Sequence, residues 1–291
     1  MYTGKWRVLG NNIQIQFWQN TIDVIYSIHM PIFTLISGYI YWYNRKLNGG
    51  YNNLSFFIKK KIFRILIPFI IFGVIECTID MGCRYKYVLI GPLHIWYLRF
   101  ILECFLITRL MDKCFLGRPF ILLIFVIFQY LFFDVLEYHT LDIPFDTNYR
   151  YFILGMFCLE LVERYKVKKE IVACAVVILF TLFIFVIRVS PHFFVTAFTM
   201  CLNCSILLFF STLKFHESLP CWITNLDKCS MGIYLIHHPI IWNIAKYNYK
   251  RKIMEVHYIT GPIIVSLIAL LLSWFISSYV KKNKYLHYIL G

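Results

Sequence analysis

Charge is what this sequence has least of. Only 15% of its 291 residues are Asp, Glu, Lys or Arg, against 60% hydrophobic, a balance that cannot clothe a water-soluble domain of this length. Acids are scarcest, 15 against 29 basic residues, which leaves a net charge of +14. On a soluble protein that excess would point to nucleic acid. On a chain this apolar it is what holds cytoplasmic loops inside, and no nucleic-acid partner is expected. Also missing are a nucleotide-binding Gly-rich loop, a Gly-x-Ser-x-Gly elbow, and any His/carboxylate run with the spacing of a three-ligand metal site. The ten cysteines fall mostly inside apolar runs, as small hydrophobes rather than a disulfide framework. Cys201 and Cys204 have metal-like spacing but lie mid-helix without a second pair, so no metal is expected. Low-complexity segments and internal repeats are not seen either, and with the first twenty residues polar no cleavable leader is expected.

What is present is apolar length. Nine runs suit membrane crossings, at 24–43, 62–79, 93–110, 119–136, 150–163, 170–188, 193–213, 230–246 and 259–280. Backbone amides in hydrocarbon must pair within their own segment, so runs of this length predict helices. The fold class is therefore all-α, a polytopic membrane bundle filling residues 1–291 as one domain. Aromatic residues, 19% of the chain, suit lipid-facing helices and interfacial belts.

Lys and Arg concentrate in alternate loops, among them 44–64 with Arg45, Lys46, Lys59, Lys60, Lys61 and Arg64, and 164–169 with Arg164, Lys166, Lys168 and Lys169. Lys214, Lys228 and the tail Lys281, Lys282 and Lys284 fall on the same side, which predicts a cytoplasmic C-terminus. The opposite loops carry fewer, among them Lys5, Arg7, Arg84, Lys86, Arg150 and Lys252. Nine crossings ending inside would leave residues 1–23 outside with nothing to carry them across, so an earlier helix is expected to belong to the protein.

Four stretches hold the candidate chemistry. In "HMPIFTLISGYIY" (29–41), His29 opens a span, Pro31 is expected in its first turn, and Ser37-Gly38 offers a notch. That notch serves either helix packing or a bound chain. In "FIKKKIFRILIPF" (57–69), Lys61 and Arg64 are expected on one face at the mouth of the second span, as membrane anchors or as a grip on phosphates. "GPLHIWYLRFILE" (91–103) brings His94, Trp96 and Tyr97 to a boundary, and Glu76 in the preceding span has no obvious partner. In "KCSMGIYLIHHPIIW" (228–242), Tyr234, His237 and His238 lie on a helix where neighbouring residues diverge by about 100°, so one histidine at most is expected to face a given cavity.

These stretches, in this order, resemble bacterial membrane acyltransferase family three, the O-acyltransferases of sugars and surface polysaccharides. "HMPIFTLISGYIY" is similar to the family's second-helix motif and "KKKIFRILIPF" to its basic pair before a third helix. "LHIWYL" and "SMGIYLIHHPII" are similar to its Trp-Phe/Tyr-Leu and late Tyr-Leu-Ile-His segments. Two departures stand out. Lys61 replaces the first arginine of Arg-x-x-Arg, and the family's opening helix, with its basic residue and catalytic histidine, is not seen, so ten helices in the family become nine here. The resemblance implies an acyl-CoA donor, most simply acetyl-CoA, held by Lys61 and Arg64. It implies as acceptor a hydroxyl of a lipid-linked or surface glycan, in a bacterial inner membrane. His29 would be an auxiliary catalytic residue, with Ser37, Gly38, Trp96, Tyr234 and His237 lining the cavity. A glycan exporter or flippase, or an inactive remnant of an acyltransferase, are the competing readings.

Overall fold

A computed structural model of the chain describes residues 12–80, 88, 91, 94–116, 118–135, 144–165, 167–189, 192–213, 220–251, 260–283 and 289–290. Lys5, Arg7, Cys83, Arg84, Lys86, Lys166, Lys214, Lys252 and Lys284 lie outside these residues.

Among the described residues each apolar run read as a crossing is helical, apart from the turn at 94–95 and residue 213, and no strand occurs. In chain order these are α1 (Asn12–Lys46), α2 (Leu54–Lys61), a π turn (Ile62–Leu66), α3 (Ile67–Asp80), α4 (Trp96–Phe115) and α5 (Pro119–Tyr130). A second π turn (Leu131–Val135) is followed by α6 (Pro144–Arg164), α7 (Lys169–Val189), α8 (His192–Thr212), α9 (Cys221–Arg251) and α10 (Thr260–Lys282). Four stretches, Asn20–Lys46, Lys169–Val186, Phe193–Thr212 and Thr260–Lys282, are each long and apolar enough to cross a membrane. Phe185 on α7 and Phe275 on α10 are 68% and 72% exposed. Bulky rings facing outward like this are costly in water and at home in lipid. The protein is an integral membrane bundle.

The chain forms two compact units. One takes Ile22–Phe57 and Phe100–His216; the other takes Met1–Thr21, Ile58–Arg99 and Glu217–Gly291.

In the first unit, α1 crosses α6 through two glycines. A Cβ on Gly38 would strike the Phe152 carbonyl, 2.8 Å from its carbon, and one on Gly155 would strike the Leu35 carbonyl, 2.8 Å from its carbon and 2.9 Å from the Tyr39 nitrogen. Only glycine lets two backbones meet this closely. Further along the same two helices, Trp42 Nε1 donates to Glu160 at 2.7 Å and Lys46 Nζ to Glu160 at 2.8 Å and Glu163 at 2.6 Å. A second carboxylate, Asp112 on α4, binds Arg45 at 2.6 Å, Arg109, and the Tyr41 hydroxyl at 3.3 Å.

Two sequence expectations change here. Pro31 is not in a first turn, because α1 already runs from Asn12 and encloses it. A proline within a helix leaves the carbonyl four residues earlier without its amide donor. That carbonyl belongs to Ser27, and Asn203 on α8, fully buried, donates to it at 3.1 Å. Arg150, expected as a loop cation, is instead 3% exposed and paired through both terminal nitrogens with Asp134, which also accepts from Thr196 at 3.3 Å. Once buried, a guanidinium needs a carboxylate beside it, and the second π turn carries Asp134 to that place.

In the second unit, α10 presents Gly261, Val265, Ala269, Ser273 and Ser277 inward, one residue per turn. Such a small-residue stripe admits α9, where a Cβ on Gly232 would come 2.8 Å from Ser277 Cβ.

Candidate functional site

The second unit contains both polar features that could serve chemistry. The first lies where α2 passes into α3. Pro68 has no amide to offer the Arg64 carbonyl, and the chain answers with a π turn, Ile67 N–H bonding back to Ile62 O. Lys61 is 8% exposed and Arg64 is exposed, so one cation is tucked against the protein while the other is open. They remain close enough to feel each other. Burial first, then the charges of Lys60 and Arg64, push the Lys61 ammonium well below its ordinary value.

The second feature gathers around His94. Gly91 precedes it with φ +83°, a conformation other residues rarely adopt, and a Cβ there would lie 2.6 Å from Trp96 Cα. His94 lies two residues before α4 begins at Trp96. Its Nε2 is 3.0 Å from the Tyr234 carbonyl, and the Tyr234 hydroxyl donates back to the His94 carbonyl. On its other side, Nδ1 lies 3.0 Å from Glu76 Oε1. The same Oε1 is 3.6 Å from His238 Nδ1. Glu76 is 2% exposed, and neither of its oxygens has hydrogen-bond alignment with any described group. The His94 ring lies 4.5 Å from that of His238 and 5.3 Å from that of His237. His237 donates Nδ1–H to the Ile233 carbonyl at 3.0 Å, which leaves Nε2 as the nitrogen with the lone pair.

The expected residues therefore separate. Tyr234 and His237 join His94, and Trp96 is half-buried two residues on, its ring edge-on to Tyr97 at 6.0 Å. Both histidines of the His-His pair reach the same centre, contrary to expectation, because the His94 ring enters between them from another segment. Glu76 gains the partners it lacked on paper. The first unit holds the others. His29 donates Nδ1–H to Ile25 O at 3.0 Å and packs edge-on against Tyr26 and Phe33. Gly38 is occupied by the Phe152 backbone, which favours packing over a substrate chamber there, and Ser37 beside it is half-buried.

No curated protein and no solved structure is matched by the chain. One family model is, over residues 1–278, and its description is an acyltransferase domain. The all-helical membrane architecture and the four motifs agree with that match, and the chain belongs to acyltransferase family 3, a family of membrane acyltransferases.

Proposed function

We propose that this protein transfers an acyl group, most simply acetyl, from acyl-CoA to a hydroxyl of a lipid-linked or surface glycan. The observation that carries the reading is the polarity of one helical segment. Cations Lys61 and Arg64 stand at one end, and Glu76, within the imidazole cluster, lies twelve residues further, about 18 Å along a helix. A donor with phosphates at one end and a thioester at the far end of a long flexible arm suits that separation. Arg64 offers a fork to phosphate oxygens and Lys61 a point charge.

At the thioester end, a sugar hydroxyl needs a base to become a competent nucleophile. His237 Nε2 takes the hydroxyl proton as the oxygen attacks the thioester carbon. The carbon–sulfur bond then breaks, and the proton passes to the departing thiolate. The chain would work in a bacterial inner membrane, with Lys61, Arg64 and the C-terminus on the cytoplasmic side, where acyl-CoA is found.

The test is labelled acetyl-CoA incubated with proteoliposomes of the chain and candidate glycans. Lys61→Ala with Arg64→Ala should raise the apparent KM for donor. His237→Gln should lower kcat by roughly 10²–10⁴-fold at unchanged donor KM. Absence of both label transfer and CoA release would exclude acyl transfer, and glycan movement across the bilayer without transfer would establish the exporter reading instead.

A further inference from the structure

The Glu76, His94 and His238 arrangement demands more than two imidazoles beside a carboxylate. His94 Nε2 faces the Tyr234 carbonyl at 3.0 Å, and a carbonyl can only accept, so Nε2 carries a proton. In the neutral ring, Nδ1 is then a lone pair, and it is aimed at a carboxylate oxygen 3.0 Å away. Lone pair against lone pair at that distance is repulsive unless something positive lies between. Glu76 is 2% exposed, so bulk water cannot supply it.

The positive species is either a proton or a metal, and three donor atoms converging on one point without hydrogen-bond alignment favour the metal. The Glu76 oxygen is 3.0 and 3.6 Å from the two Nδ1 atoms, and all three donor atoms lie within 4.8 Å of one another. Bonds of about 2.0–2.1 Å at tetrahedral angles put zinc ligands about 3.3 Å apart. Two imidazoles and one carboxylate suit zinc, whereas magnesium and calcium favour all-oxygen sets. The second nitrogen of a metal-bound histidine ordinarily donates to a carbonyl, as His94 Nε2 does here. Further support comes from the backbone around the ligands, where the Tyr234 hydroxyl donates to the His94 carbonyl and holds that main chain in place.

We propose that Glu76, His94 and His238 bind one zinc ion, leaving its fourth position to water or a substrate oxygen. The inference goes beyond acyl transfer and is read without turnover, so either can fail alone. The protein should be purified in detergent with a tag free of histidine, exchanged into metal-free buffer, and given zinc. Elemental analysis should then find about one zinc per chain. Glu76→Gln and His238→Gln should each weaken binding by roughly 100-fold or more while keeping helical circular dichroism and monodisperse elution. Cys201→Ser with Cys204→Ser should leave it intact. If the site variants fold poorly, cobalt titrated into the unaltered protein should give tetrahedral absorption without thiolate charge transfer. A chain that stays metal-free after zinc addition, zinc retained in both site variants, or zinc lost with the cysteines would each overturn the proposal; the first would leave a proton bridging His94 and Glu76.

Discussion

Replacing Asn203 with leucine keeps the volume nearly constant and removes the donor that serves Ser27 O across the α1–α8 contact. Pro31 ensures that no backbone amide can take over, since the amide that would reach Ser27 is the one proline lacks. Stranding a fully buried acceptor costs about 1–3 kcal/mol, the half-buried Ser27 carbonyl falls toward the lower part of that range, and hydrogen bonds between membrane helices reach about 1.7 kcal/mol in coupling experiments. We therefore expect Asn203→Leu to destabilise by about 1.5 kcal/mol. Pro31→Ala restores an amide that can bond Ser27 O within α1. In that background Asn203→Leu should cost about 0.5 kcal/mol, chiefly its 2.8 Å bond to Thr199 O. The difference, a coupling of about 1 kcal/mol, is readable by denaturant titration of the detergent-solubilised protein followed by circular dichroism. Equal costs in the two backgrounds would refute the account, for Asn203 would then not be substituting for the missing amide.

Gly38→Ala would drive a Cβ into the Phe152 carbonyl oxygen, with the carbonyl carbon at 2.8 Å behind it, against a backbone that cannot rotate away, and should cost about 3 kcal/mol or more. Gly155→Ala spreads the same crossing, so the double variant should cost less than the sum in the same titration. Asp134→Asn or Arg150→Met alone should cost about 3–5 kcal/mol by stranding one buried charge, while Asp134→Leu with Arg150→Met should recover most of it, measured by thermal unfolding. Lys61 binds its proton less tightly folded than unfolded, so its charge penalises the fold below the folded-state pKa, and the penalty fades as pH rises from there toward the ordinary lysine value of about 10.4. Relative to Lys61→Met, the unaltered chain should gain stability over that window. A flat difference between the two would contradict the burial.

Apolar run length places the membrane helices among the described residues, because a span is constrained by lipid thickness more than by its neighbours, but it gives no sign of α2, which lies in the basic stretch 44–64. Interruptions within runs were harder to read. Pro31 looked like a helix start because lone sequences announce prolines but not the distant side chain that repairs them. In sequence Arg150 reads as a loop cation because its partner Asp134 is sixteen residues away, and Asp112 and Glu160 carry no signal because each draws a buried partner from distant α1 as well as a cation on its own helix. The imidazole cluster was half visible. Tyr234, His237 and Trp96 were chosen by motif, whereas Glu76 and His94 became meaningful only when three separated segments converged. An unexplained acid in an apolar run was the available clue.

The π turn at Ile62–Leu66 acts on residues well beyond it. Each residue of an α-helix advances the azimuth by about 100°, so dropping one residue there would reel everything downstream round by more than a quarter revolution. Glu76 would swing off the imidazoles while Lys61 stayed put, and the two ends of the segment would lose their phase. The wide turn is thus a vernier: a single inserted position sets which way a carboxylate points some three coils later.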